Sequence, residues 1–344
     1  MNFRNRLSAL AAVTLVAGLA LSACGGDDSA DDKASGGGGG GDGTYTFLPK
    51  NLGNAYFDTS DNAGKAAVEA FGGTYQEVGP DKASPDAQVP FINTAAQQGV
   101  SALIVSANDK EAICDALNEA RDAGTKVVTF DSDVNPDCRD LFINQATADG
   151  IAKVEVDMIA EQIGDAGEVA ILSASANATN QNAWIDVMKK DIADNHPNIK
   201  LVDVVYGDDD DQTSFDKTAA LLQAHPDLKG IISPTTVGIA AAARYLSTSD
   251  AKGKVALTGL GTPNQMREYV KDGTVTEFAL WNPGDLGTLA AYAAKALVDG
   301  DIKGDEGDTF TAGDLGDFTV DADHTVLLGE PFRYNADNID DFDF

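Results

Sequence analysis

The sequence predicts an α/β protein of two similar doubly wound lobes with parallel sheets and a ligand cleft between them. Three observations predict it. Short apolar runs alternate with helical segments of roughly ten to fifteen residues from Tyr45 to Leu280, the pattern of βαβ units. The plan of residues 99–133 (strand, capped helix, glycine, strand, polar tip) recurs over residues 228–263. The strands end in polar clusters, and open parallel sheets hold ligands just beyond the carboxyl ends of their strands. Two such sheets meeting tip to tip enclose a cleft, a common place for a small-molecule site.

Each element has a local reason. Residues 45–48 read as the first strand, followed by the loop Pro49-Lys50-Asn51-Leu52-Gly53-Asn54 and a helix over residues 57–71. A strand over 74–78 precedes Ser84-Pro85, a cap followed by proline at the first helical position. Residues 102–105 are an apolar run of the kind buried on both faces of a sheet. Asn108-Asp109 predicts a helix cap and Gly124 its end, which places a helix through Ala123. The strand at 127–130 stops abruptly in Asp131-Ser132-Asp133. That tip reads equally as acceptors for a polar ligand or as an acidic turn capping the next segment. A short strand at 141–143 leads into Asn144-Gln145. Helices are then expected over 148–163, 181–194, 212–224, 237–246 and 263–271, and strands over 168–172, 201–206, 230–233, 255–260 and 275–280.

The N-terminus reads as an address. Arg4 and Arg6 precede an apolar stretch over residues 7–21, too short and too rich in Ala and Gly for a membrane span. Leu21-Ser22-Ala23-Cys24 resembles a bacterial lipobox. The resemblance implies a lipoprotein signal peptide over 1–23, cleavage before Cys24 and a lipid on its sulfur. Residues 24–43 form a Gly/Asp-rich flexible tether. Its glycine run precedes no Gly-Lys-Ser/Thr, so it is not a phosphate-binding loop. The expected location is outside the cytoplasm, with the lipid holding the chain to the outer face of the cytoplasmic membrane, at the cell surface or in a periplasm.

The net charge of -31 opposes nucleic acid as a partner. Cys114 and Cys138 flank the strand at 127–130, and an exported chain meets oxidising conditions. A disulfide bracing the Asp131 loop is expected, with two separate buried thiols as the alternative. These cysteines and the scattered His196, His225 and His324 have no metal-site spacing, so no metal is expected.

An enzyme would need a nucleophile with its base, a metal cluster or a cofactor loop. No Gly-x-Ser-x-Gly and no dinucleotide fingerprint is present, so neither catalysis nor a cofactor is expected. The strand tips carry Lys50, Asp131, Asp133, Asn144, Gln145, Asn177, Asn180, Gln181, Thr235, Thr236 and Asn282 instead. These donors and acceptors suit a hydroxyl-rich ligand. Phe57 and Trp281 near such tips suit the C–H faces of a sugar ring. Trp184 falls on a helix face and reads as core packing. The run from Asp208 to Asp211 reads as an acidic helix start favoured by the macrodipole rather than a calcium loop.

At Phe47-Leu48-Pro49-Lys50, residues 127–133, Ile143-Asn144-Gln145, Asn180-Gln181-Asn182-Ala183-Trp184, Ile231-Ile232-Ser233-Pro234, Thr262-Pro263-Asn264-Gln265-Met266 and residues 338–344, the chain resembles type I periplasmic sugar-binding proteins of ABC importers. The branch it resembles holds rhamnose-binding and autoinducer-2-binding proteins. The resemblance implies Rossmann-like lobes joined by a three-segment hinge. The first lobe would take residues 44–145 and 281–320, the second 146–280 and 321–344. It implies ligand contacts at Lys50, Asp131, Asn180, Gln181, Pro234 and Thr236. Asn180 and Thr236 depart from the autoinducer-2 branch, which has Asp and Ala there, and residues 176–184 and 234–238 look more like rhamnose-binding proteins. The ligand set expected is therefore Lys50, Phe57, Asp131, Asp133, Asn180, Gln181, Pro234, Thr235, Thr236, Trp281 and Asn282. Gly261 offers no side chain where the wider family often has Asp. The function implied is capture of a monosaccharide, foremost L-rhamnose, by a monomer that delivers it to membrane permease subunits. The alternatives are a receptor for autoinducer-2 or another sugar-like signal, and a binder of a different pentose or hexose. A sugar-responsive repressor shares the fold, but would need a DNA-binding segment in place of the export signal.

Overall fold

The computed structural model describes residues 43–344. The expected signal peptide, Cys24 and the expected tether up to residue 42 lie outside the described residues. The chain begins β1 (Thr44–Leu48), α1 (Ala55–Ala70), β2 (Thr74–Glu77), α2 (Pro85–Gln98), β3 (Ala102–Val105), α3 (Cys114–Asp122), β4 (Lys126–Phe130) and β5 (Leu141–Asn144). It continues α4 (Ala148–Ile163), β6 (Gly167–Ser173), α5 (Thr179–Asn195), β7 (Ile199–Tyr206), α6 (Asp211–Ala224), β8 (Leu228–Ser233), α7 (Thr236–Ser247), β9 (Ala256–Gly259), α8 (Pro263–Lys271) and β10 (Glu277–Leu280). Last come α9 (Pro283–Asp299), the β11 (Thr309–Thr311) and β12 (Asp317–Thr319) hairpin, β13 (Thr325–Leu327) and β14 (Phe332–Asn335).

Two parallel sheets result. The first runs β2-β1-β3-β4-β5-β13 and the second β7-β6-β8-β9. A bridge from Leu260 to Ala279 extends the second sheet to β10, which pairs antiparallel with β14. The central strands are buried because they are apolar throughout: all four residues of β3 are fully buried. Helix α9 returns to the first lobe and lies along α1. The two backbones approach so closely that a Cβ at Gly287 would collide with the Ser60 carbonyl, so only glycine fits there.

Two sequence expectations are corrected. Asp109 accepts from the backbone N–H of Glu111 and Ala112 at 2.8 and 2.9 Å, an isolated turn, and α3 itself starts only at Cys114. The third crossing between lobes also falls later than expected. Residues 321–327 do not leave the first lobe, because β13 pairs in parallel with β5, Val326 opposite Ile143. A three-residue strand carries too little periodicity to be read beforehand. The crossing follows Leu327, and β14 is the first strand beyond it on the second side.

Cys114 and Cys138 are joined, with Cα atoms 5.3 Å apart. The bridge ties the start of α3 to the loop that follows β4.

Candidate functional site

The strand tips of both sheets and the first turns of α1, α5 and α7 converge on one small cavity.

Asp131 forms the floor. The chain leaves β4 with Asp131 at φ 61°, a left-handed conformation uncommon for a residue with a side chain. Backbone strain of this kind collects at binding sites. The Asp131 Oδ2 accepts from Ser106 Oγ at 2.7 Å and lies 3.7 Å from Lys50 Nζ. Lys50 is itself buried at the end of β1, its carbonyl accepting from Asn108 Nδ2 at 2.9 Å. A buried ammonium needs anionic or polar partners, and the second lobe supplies one: Lys50 Nζ donates to Asn180 Oδ1 at 3.1 Å. Asn180 Nδ2 in turn donates to the Asp131 carbonyl at 3.4 Å.

Gln181 Oε1 accepts from Ser173 Oγ and from the Ala174 N–H, both at 2.8 Å. This fixes the start of α5 against the tip of β6. Thr235 and Thr236 sit at the N-terminus of α7, and Pro234 precedes them at the tip of β8. All three line the cavity, as does Phe57. Trp281 closes one side, donating from Nε1 to the Tyr56 hydroxyl at 2.9 Å and standing edge-on to Trp184. Burial, with the nearby Asp131 charge, pushes the Tyr56 hydroxyl well above the usual phenol range, so it stays protonated.

Nine expected residues thus come together: Lys50, Phe57, Asp131, Asn180, Gln181, Pro234, Thr235, Thr236 and Trp281. Two do not. Asp133 points away and makes a bidentate pair with the buried Arg139, Nε–Oδ1 2.7 Å and Nη2–Oδ2 2.8 Å. The left-handed turn at Asp131 reverses the chain, so the second carboxylate of the tip serves structure. Asn282 caps α9, its Oδ1 accepting from the Gly284 N–H at 2.9 Å. Conversely, Trp184 is a cavity wall as well as a core residue. Asn54, Tyr56, Asp209, Leu260 and Leu280 also line the cavity. Asp209 follows β7, so the strand-tip rule could have found it. Leu260 and Leu280 lie at strand ends too, but apolar tips give no polar signal. Gly261 packs so closely on Met266 that a Cβ would stand 2.7 Å from its Cγ. A larger side chain there would displace Met266.

The result is a mixed enclosure. Lys50 and the Gln181 amide donate, Asp131 and Asp209 accept, and Leu260, Leu280 and Trp281 present apolar surface. Such a set holds a ligand through hydroxyls and C–H faces. Among the described residues no three His, Cys, Asp or Glu side chains are gathered to hold a metal ion.

Residues 45–302 match the model of the periplasmic binding protein domain family, and the chain belongs to that family. It is a sugar-binding solute-binding protein of the ABC-transporter type, not an enzyme. It is similar to a sugar ABC transporter from Actinomyces odontolyticus, with 57% identity, 88% of this chain and 98% of that one covered, and a TM-score of 0.72. It is also similar to a solute-binding protein from Clostridium phytofermentas with bound L-rhamnose, at 40% identity, 88% and 98% coverage and a TM-score of 0.85. LsrB from Clostridium saccharobutylicum in complex with AI-2 shares 29% identity over 88% of this chain and 100% of its own, with a TM-score of 0.82.

Proposed function

We propose that this chain is a lipid-anchored importer subunit that captures L-rhamnose between its lobes and hands it to an ABC permease. The observation that carries the reading is a cavity lining that combines charged and amide groups with large apolar side chains. Lys50, Asp131, Gln181 and Asp209 offer charge-assisted partners for ring hydroxyls, and Leu260, Leu280 and Trp281 offer an apolar wall for the methyl group of a 6-deoxy sugar. The likeness to the L-rhamnose-bound protein supports the same ligand. Binding groups come from both lobes, so a ligand that contacts both favours the closed arrangement over the open one. The closed form, a monomer, is what the permease would read. Cys24 would carry the lipid, the preceding segment having exported the chain, and the tether would hold it at the outer face of the membrane.

A second reading is a receptor for AI-2, supported by the likeness to LsrB in complex with AI-2. Against it, residue 180 is an amide rather than a carboxylate. Calorimetric titration of the purified protein with L-rhamnose and, separately, with AI-2 distinguishes the two. Saturable heat with L-rhamnose, and little with AI-2, is expected. Binding of AI-2 alone would replace the importer reading with the receptor reading.

A further inference from the structure

Four consecutive aspartates, Asp208 to Asp211, run from the loop after β7 into the first residue of α6. Three are used at the surface or for the helix. Asp210 accepts from the Thr213 N–H at 2.8 Å as the cap of α6, Asp211 pairs with Arg244, and Asp208 is exposed. Asp209 alone turns inward and lines the cavity. The backbone forces this. Asp208 and Asp209 lie at φ 55° and 47°, two successive left-handed residues with side chains. The preceding Gly207 packs against Ser214 so closely that no Cβ fits. A strained loop that delivers one carboxylate into a ligand cavity is the kind of outlier from which a function can be inferred.

The Asp209 Oδ1 accepts from Thr235 Oγ1 at 2.5 Å. Among the described residues its Oδ2 makes no hydrogen bond to protein and no Lys or Arg stands within ion-pair distance of it. Burial raises its pKa, opposed by the charge of Lys50 and the bond from Thr235. The cavity lining therefore holds two carboxylates, Asp131 and Asp209, around one ammonium, Lys50. A neutral polyol can donate a hydroxyl to the free oxygen. A sugar acid would bring a third negative charge to a single cation, so the same arrangement repels it.

We propose that Asp209 is a specificity-determining ligand contact: its Oδ2 accepts a hydroxyl of a neutral sugar and its charge excludes sugar acids. This rests on the cavity being the ligand site, but not on L-rhamnose being the ligand.

Calorimetry of the full-length protein tests it, comparing wild type with Asp209→Asn and Asp209→Ala against L-rhamnose, L-fucose, D-ribose and L-rhamnonate. Asn tolerates the left-handed conformation and can still accept from Thr235, but it can present a donor where the carboxylate presents an acceptor. The melting temperature of Asp209→Asn without ligand should stay within about 2 °C of wild type. Its affinity for the preferred neutral sugar should fall about 10- to 100-fold, and its discrimination against L-rhamnonate should fall by a similar factor. Should Asp209→Asn not fold, Asp209→Ala supplies the same comparison. A variant that binds the neutral sugar within about twofold of wild type and still rejects L-rhamnonate overturns the inference. So does a wild-type protein that prefers L-rhamnonate, or one that binds no member of the panel. If the preferred neutral sugar is L-fucose or D-ribose, the L-rhamnose assignment fails while the Asp209 comparison still decides the inference.

Discussion

Lys50 Nζ stands 3.1 Å from Asn180 Oδ1, and the two residues come from different lobes, one just past the end of β1 and the other in the first turn of α5. This bond crosses the cleft and also borders the cavity. On the proposed reading Lys50 would serve ligand and closure together. Replacing it with Met keeps the length but leaves Asp131 without its cation. Affinity for the sugar should fall about 100-fold or more, since the other half of a buried charge pair is left unpaired. Calorimetry on Lys50→Met measures this directly.

Asp131 and Asp133 are two residues apart and do different work. Asp131→Ala should abolish measurable sugar binding with a modest change in melting temperature. Asp133→Ala should do the reverse. It strands the Arg139 guanidinium, which is buried and also donates to the carbonyls of Asp323 and His324 ahead of β13. The expected loss is about 3 kcal/mol of stability. Chemical denaturation and sugar titration of the pair, side by side, separate the roles. Comparable loss of binding in both would contradict this division.

Both tryptophans of the chain, Trp184 and Trp281, line the cavity and pack edge to face. Intrinsic fluorescence should therefore change on adding the sugar and saturate with the calorimetric affinity. An emission spectrum unmoved by a ligand that gives saturable heat would place that ligand elsewhere.

Glu155 on α4 is wholly buried, and neither carboxylate oxygen has a hydrogen-bond partner among the described residues. Burial raises its pKa well above the usual carboxylate range. A raised folded-state pKa means that its contribution is most favourable below the unfolded value, near 4.3, and is lost as pH rises through the folded value. Glu155→Gln mimics the protonated form. It should leave stability unchanged near pH 4 and raise it by about 1–3 kcal/mol at pH 8. Denaturation of wild type and variant across that range checks the sign.

The bridge between Cys114 and Cys138 closes a sequence separation of 24 residues. Loop-closure entropy for such a span is about 3 kcal/mol. Replacing both cysteines with alanine should lower stability by about that amount, and a reductant should have the same effect on wild type. Sugar affinity should fall less than in Asp131→Ala, because Ser106 and Lys50 still hold the Asp131 carboxylate.

The expected strands and helices are legible because each carries a periodic or capped signal. Residues 148–163 and 263–271 are helical over the spans their sequences suggest, as α4 and α8. The polar half of the site is legible for a related reason: a hydrophilic residue just past the end of an apolar strand is conspicuous, and Lys50, Asp131 and Thr235 all sit there. Where a side chain then points depends on backbone angles that no spacing reveals. Asp131, Asp208 and Asp209 adopt left-handed conformations that glycine normally occupies. That is why Asp133 looked like a ligand contact but holds Arg139, and why Asp209 looked like a helix start but reaches the cavity.

Hydrophobic periodicity and strand-tip polarity, both local properties, were enough to determine two parallel α/β lobes with a polar cleft. Only the tertiary structure decided which tip residues meet, that Leu260, Leu280 and Trp184 form walls, and that β13 stays with the first sheet. Those outcomes depend on sheet register, on turn conformation and on one lobe facing the other, relationships between residues far apart in the chain.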